Sequence, residues 1–121
     1  MGMISDPMET GRVCNGITIA NKETCDYVWK IWTTRREWIY NTFNMFGDVP
    51  SEMLLLRELF DQGGHCPRLD WIYPNKIFSY KMEIKPDKKL LETASIVYFH
   101  GDPKPHQLTE SHHKSLIEHW V

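Results

Sequence analysis

Apolar residues recur with helical spacing in two stretches of the first half of the chain. From residue 28 to residue 46 they follow the spacing of an amphipathic helix. Asn21 or Thr24 is the predicted N-cap of this helix. Thr34 and Glu37 have the spacing of a capping box, which predicts that the helix restarts near residue 34 instead of running unbroken.

A second apolar stripe, from residue 53 to residue 60, predicts a compact helix. Pro50 suits its first turn, and Glu52 is favourable there because the N-terminal end of a helix attracts negative charge. Gly63-Gly64 marks the predicted end.

Short strands are predicted over 17–20, 69–73 and 95–99, the first and last from runs of β-branched and aromatic residues and the second from the alternation of Leu69, Trp71 and Tyr73. Asn15-Gly16 predicts a turn before the first of these strands. The last of them is predicted to be buried. The stretch 76–84 is interpreted as a strand or as a strand-to-helix turn, and the sequence leaves both open.

These elements predict an α/β fold, with a mixed α+β arrangement as the alternative. The expected architecture is a small mixed sheet of short strands with three or so helices. Residues 1–12 are mostly polar and are predicted to be a flexible N-terminal arm. Residues 13–121 are predicted to form a single domain, and Thr109 or Ser111 is the predicted cap of a last short helix.

Three tryptophans, Trp29, Trp32 and Trp38, lie in the first helical stretch. A functional interpretation is a surface on which sugar rings stack. Their helical spacing favours the alternative, which is simple packing against the core.

Composition narrows the class of protein. The chain has 121 residues, of which 41% are hydrophobic and 25% charged, as in an ordinary globular domain. A formal net charge of -2 shows no excess of positive charge of the kind that binds nucleic acid. No apolar run is long enough to span a membrane. Three cysteines without a CxxC spacing, and a start that does not resemble a secretory signal, predict a reduced, cytoplasmic setting.

The segment with the most candidate ligand-binding residues follows the predicted strand 95–99. His100-Gly101 comes directly after it, and Lys104 follows between two prolines. Ligands bind at the carboxyl ends of strands in α/β architectures. An imidazole can ligate a divalent metal and an ammonium can hold a phosphate, so this segment is the predicted site.

The same segment resembles a known family. Residues 99–106 are similar to the "FHG-x-x-KP-(W/H)" segment of GT-A-type glycosyltransferases, most of all the glycogenin/galactosyltransferase-like group and its bacterial and phage relatives. Residues 74–81 are similar to the "P-x-x-x-x-SYK" segment that precedes it in those relatives, and residues 117–121 resemble their terminal helix. Good matches cover about residues 70–121, and weaker ones reach back to Asn15.

The resemblance implies a sugar-nucleotide site with a divalent cation, usually manganese. His100 would be the metal ligand, Lys104 the contact to the diphosphate, and Gly101 the point where phosphates approach the backbone. His106, where some relatives have Trp, is a lesser candidate. Glu52 stands where those enzymes have an aspartate that faces the sugar, so it is the candidate catalytic residue.

The sequence departs from the family in two ways. It contains no Asp-x-Asp pair, and it has no βαβ nucleotide-binding half before Asn15. The chain thus resembles the C-terminal half of such an enzyme, incomplete or inactive alone. We expect it to form a homo-oligomer, or to associate with the missing N-terminal half.

Two other functions stay open. The first is a non-enzymatic interaction or oligomerisation module that uses the tryptophan-rich helix as its contact face. The second is a small zinc protein that uses His65, Cys66 and the C-terminal histidines, although adjacent residues rarely reach one ion together.

Overall fold

The computed structural model describes residues 1–9, 11–44, 51–61, 66–109 and 116. The chain divides into two compact units, Met1–Leu69 and Asp70–Val121, and each has its own core. Helices and short strands are both present, so the predicted α/β class is confirmed. Within the described residues, no helix is long and apolar enough to cross a membrane.

The first unit begins with an antiparallel hairpin-like pair of strands, β1 (Gly2–Ser5) and β2 (Val13–Ile19). Met3 and Ile4 of β1 have no exposed surface. The predicted flexible arm is therefore wrong for β1. Its two large apolar side chains pack in the core, although the segment is too short for its periodicity to show this.

The register of these two strands shifts in the middle. Met3 pairs with Thr18, but the next residue, Ile4, pairs with Cys14. Three residues of β2, 15–17, are thus left over as a bulge. The turn predicted at Asn15-Gly16 is replaced by this bulge, an irregularity that glycine also favours.

Three helices follow, α1 (Lys22–Thr34), α2 (Arg36–Asn44) and α3 (Glu52–Phe60). The Asn21 side chain caps α1 by accepting from the backbone N–H of Thr24 at 2.9 Å. The predicted interruption near residue 34 is confirmed, since α1 ends at Thr34 and α2 begins at Arg36. Pro50 and Gly63-Gly64 lie outside the described residues.

The tryptophans of the helices do not all pack inward. Trp29 is 67% exposed and Trp38 is 38% exposed, whereas Trp32 packs against the core around Ile31 and Ile39. The expectation of simple packing is wrong for Trp29 and Trp38, because a helical spacing does not show which faces of a helix are covered.

A buried arginine joins β2 and α3 to the segment between the strands. Arg57 of α3 is 4% exposed, and its Nε donates to the carbonyl oxygen of Val13 at 2.8 Å. Its other nitrogens bind the carboxylates of Asp6 and, at 3.3 Å, Glu9. Every part of the guanidinium thus has an acceptor, which is the condition for burying a charge.

The second unit contains β3 (Ile77–Ser79), a π-helical turn (Tyr80–Ile84), a 3-10 turn (Lys88–Glu92), β4 (Ile96–Tyr98) and a 3-10 turn (Pro105–Gln107). The strand predicted over 95–99 is confirmed as β4. Of the two interpretations of 76–84, the strand-to-helix turn is confirmed. Ile96 is 44% exposed, so β4 is less buried than predicted.

Residues 69–73 do not form the predicted strand. They begin with a short helix, α4 (Leu69–Ile72), in which Leu69 is buried, while Trp71 and Ile72 are exposed. The predicted small mixed sheet is instead two separate two-stranded sheets, β1–β2 and β3–β4. The predicted last helix lies outside the described residues except for Leu116.

Replacing Arg57 by methionine should destabilise the protein strongly, because Asp6 would be left without its buried cation. We expect a loss of about 3–5 kcal/mol in the free energy of unfolding, measured by urea titration. The control is Lys22→Met, which removes an exposed pair with Asp26 and should cost less than about 1 kcal/mol. Equal losses for the two variants would contradict the role of Arg57.

Candidate functional site

The two strands of the second unit run parallel, and this brings two distant segments to one edge. Ile77 pairs with Ile96, and Ser79 pairs with Tyr98. Because parallel strands end at the same edge, residues 79–81 and 99–101 emerge side by side. These are the Ser-Tyr-Lys and Phe-His-Gly segments that carry the resemblance.

The chain turns sharply where β3 ends. Lys85 N–H donates to the carbonyl oxygen of Tyr80 at 2.8 Å, the i→i+5 bond of a π-helix. Ser79 caps this turn, since its Oγ accepts from Met82 N–H at 3.2 Å. Its own N–H donates to the Glu83 carboxylate at 2.7 Å. These reciprocal bonds resemble a capping box in which the glutamate stands one residue later than usual.

Apolar packing against the core of the second unit fixes this turn. Tyr80 is 1% exposed and Ile84 has no exposed surface. The Tyr80 ring stacks on Phe99, with centroids 4.8 Å apart and an interplanar angle of 20°. The residues just after the two strands are thus held by one core, which makes the edge a rigid place for polar groups.

His100 is bound to the buried cap residue. Its Nδ1 lies 3.2 Å from Oγ of Ser79, and Ser79 has no exposed surface. The ring centroid of His100 lies 6.0 Å from that of Tyr98. His100 is partly buried, and its Nε2 atom is covered. The imidazole is therefore turned toward the protein interior.

Gly101 and Lys81 lie together at the surface of this edge. Gly101 is exposed and has a φ of +60°, a left-handed conformation that favours glycine. A Cβ placed there would lie 3.9 Å from Nζ of Lys81. The exposed ammonium therefore stands directly over the glycine, where the absence of a side chain leaves space in front of it.

Lys104 and His106 follow on the next turn, and both are exposed. The backbone N–H of Lys104 donates to the Gln107 side chain at 2.6 Å, and Pro105 occupies the first position of the 3-10 turn. This local bonding fixes the backbone while the Lys104 side chain stays available to solvent.

Glu52 belongs to the first unit. It is the first residue of α3, is exposed, and accepts from Nδ2 of Asn15 at 3.5 Å. It lines an open, largely apolar groove of about 360 Å³ together with Trp29, Trp32 and Cys25. Its assignment as the catalytic residue stays a prediction.

The described residues offer few ligands for manganese. Within them, no group of three or more His, Cys, Asp and Glu side chains is placed to hold a metal ion. His100 supplies a single imidazole with its Nδ1 already bonded, and the neighbouring Lys81 is a cation. Manganese prefers oxygen ligands, so this donor set does not fit the ion by itself. His65 and the histidines after residue 109 lie outside the described residues.

Burial raises the pKa of two further groups. It raises the pKa of the Tyr80 hydroxyl and that of the Cys66 thiol. Both therefore stay protonated at neutral pH and are unsuitable as a base or a nucleophile there. All three cysteines are free thiols, of which Cys25 is exposed.

The sequence pointed to His100, Gly101 and Lys104 but gave no role to Ser79 or Glu83. Ser79 entered only as part of a matched segment. A signal was available in the serine followed four residues later by a glutamate, but that spacing identifies a cap only once the turn is known to be π-helical.

Comparison with known proteins gives no relative. No protein-family model, no curated protein and no solved structure matches this chain significantly.

Ser79→Ala should destabilise the protein, because it removes both the cap of the π-turn and the partner of His100 in a buried place. We expect a loss of about 1–3 kcal/mol in the free energy of unfolding, measured by urea titration. Ser95→Ala is the matched control, since Ser95 is exposed and its bond to Lys76 uses the backbone N–H. A loss no larger than that of the control would contradict the described role of Ser79.

Proposed function

We propose that the second unit binds the diphosphate group of a sugar nucleotide, in a protein related to the GT-A glycosyltransferases. The observation that carries the proposal is the parallel pairing of β3 with β4. It brings the Ser-Tyr-Lys and Phe-His-Gly segments, which are 20 residues apart in sequence, to one edge. Such edges are where α/β proteins bind their ligands.

The chemistry of the edge suits a diphosphate. Gly101 leaves the backbone open to a bulky anion, and Lys81 provides a positive charge beside it. Lys104 is a second exposed cation a few residues on. Ammonium groups bind phosphate oxygens through charge-assisted hydrogen bonds.

The same groups would assist sugar transfer. When the bond between the anomeric carbon and the diphosphate oxygen breaks, the oxygen takes the electron pair and negative charge builds on the leaving group. Fixed cations stabilise that charge. We propose diphosphate binding as the activity of this unit, because the sequence contains no Asp-x-Asp pair. Manganese and the metal-ligating role of His100 stay predictions.

Calorimetric titration with uridine and guanosine diphosphate sugars tests this function. We expect binding that is lost with the matching monophosphates, because the site recognises the diphosphate. Lys104→Gln should weaken binding roughly tenfold, by the loss of one charge-assisted bond. Lys88→Gln, at another exposed lysine of the unit, is the control and should bind as the wild type does. If the protein binds none of these diphosphate sugars, the proposal is contradicted.

A second function is favoured by a different observation in the first unit. Helices α1 and α2 expose four large aromatic side chains, which is unusual for the surface of a monomer. They are Tyr27, Trp29, Trp38 and Tyr40. We propose as the alternative that these helices form the contact face of an interaction or oligomerisation module.

Light scattering over a range of protein concentrations tests this alternative. We expect self-association that is lost in Trp29→Ser, because Trp29 is the most exposed of the four, at 67%. Met8→Ser is the control, since Met8 is exposed to a similar degree, 66%, but lies outside the helices. A clean monomer at high concentration would contradict a self-associating module.

A further inference from the structure

The two basic groups at the edge of the second unit differ in their surroundings. The imidazole of His100 is turned inward, with Nδ1 on the buried Ser79 hydroxyl and Nε2 covered. The ammonium of Lys81 is exposed and stands over Gly101. A ligand that arrives from solvent therefore meets Lys81 before it can meet His100.

The hydrogen bonds of Ser79 favour one of the two tautomers of His100. Met82 N–H donates to Oγ of Ser79, so this oxygen already acts as an acceptor. The hydroxyl hydrogen must also be placed, and the one acceptor shown for it within the described part of the chain is Nδ1 of His100. Donation into Nδ1 requires a lone pair there, which puts the ring proton on Nε2.

This tautomer leaves His100 unsuited to metal binding. A neutral imidazole binds a metal through an unprotonated nitrogen. In the favoured tautomer Nδ1 accepts from Ser79 and Nε2 carries the proton. In the opposite tautomer Nε2 would carry the lone pair, but this atom is covered, so a metal ion could reach it only if the ring moved.

We propose that Lys81 makes the direct contact with the phosphate oxygens, that His100 is a positioning residue, and that binding does not require a divalent cation. This inference rests on the diphosphate-binding function proposed above. His100 ties the end of β4 to the cap of the π-turn through Ser79. That bond fixes the positions of Gly101 and Lys81 relative to each other. Gly101 directly follows His100, and Lys81 belongs to the π-turn that Ser79 caps.

Titration with uridine diphosphate, once in the presence of EDTA and once with Mn²⁺, tests the contact. We expect the wild type to bind in EDTA. Lys81→Gln should weaken binding about tenfold or more, as the loss of a charge-assisted bond does. The matched control is Lys85→Gln, another exposed lysine in the same segment, whose backbone bond to Tyr80 the substitution retains. It should bind as the wild type does.

Nitrogen-15 NMR of the histidine rings tests the role of His100 without any ligand. We expect His100 to carry its proton on Nε2, and Ser79→Ala to shift that preference toward the other tautomer. His100→Asn should lower the midpoint of thermal unfolding. In the folded variant binding should remain insensitive to EDTA but become weaker, since Lys81 is still present but is no longer held in position.

Three results would overturn the inference while leaving the proposed function in place. They are binding that requires Mn²⁺, an Nδ1-protonated His100 in the wild type, and a Lys81→Gln variant that binds as tightly as the wild type. If the protein binds no diphosphate, either with or without Mn²⁺, the proposed function itself is overturned, and the role of Lys81 with it.

Discussion

A hydrogen bond between Ser79 and His100 joins the two segments of the candidate site beyond the ends of their strands. Oγ of Ser79, at the end of β3, meets Nδ1 of His100, just beyond β4. The strands themselves pair over only three residues each, too short to fix the loops that follow them. The serine cap of the π-turn and the stacked rings of Tyr80 and Phe99 extend that pairing past the ends of the strands.

This arrangement separates positioning from contact. The buried Ser79 and the partly buried His100 hold the backbone in place, while Lys81 and Lys104 reach solvent. The separation has a physical reason. A hydrated lysine ammonium keeps its charge without a desolvation cost. An imidazole can be buried in its neutral form if its nitrogens find hydrogen-bond partners. The first unit uses a different solution, in which the buried charge of Arg57 is matched by carboxylates and a carbonyl oxygen.

Much of the local structure could be predicted from the sequence. The β-branched run of β4 and the cap at Asn21 are local signals, and both are found where expected. β1 was missed because Met3 and Ile4 are adjacent in a strand of four residues, which is too short to show a strand periodicity. The alternation from Leu69 to Tyr73 was misleading, since Leu69 alone is buried there and the exposed aromatics do not form one face of a sheet.

The contacts within the candidate site could not be derived in the same way. Ser79 and His100 are 21 residues apart, and their contact follows from the register of β3 on β4, which no local pattern encodes. The position of Lys81 over Gly101 depends on the π-turn, which redirects the chain immediately after β3. The sequence predicted the candidate residues, but only the pairing shows which of them are buried.

A double-mutant cycle tests this central contact most directly. Unfolding free energies are measured for the wild type, Ser79→Ala, His100→Ala and the double variant, all by urea titration. If the two side chains are bonded across the edge, the losses are non-additive, with a coupling energy of about 1 kcal/mol. Losses that add to within about 0.3 kcal/mol would show that Ser79 and His100 act independently, and would contradict the account.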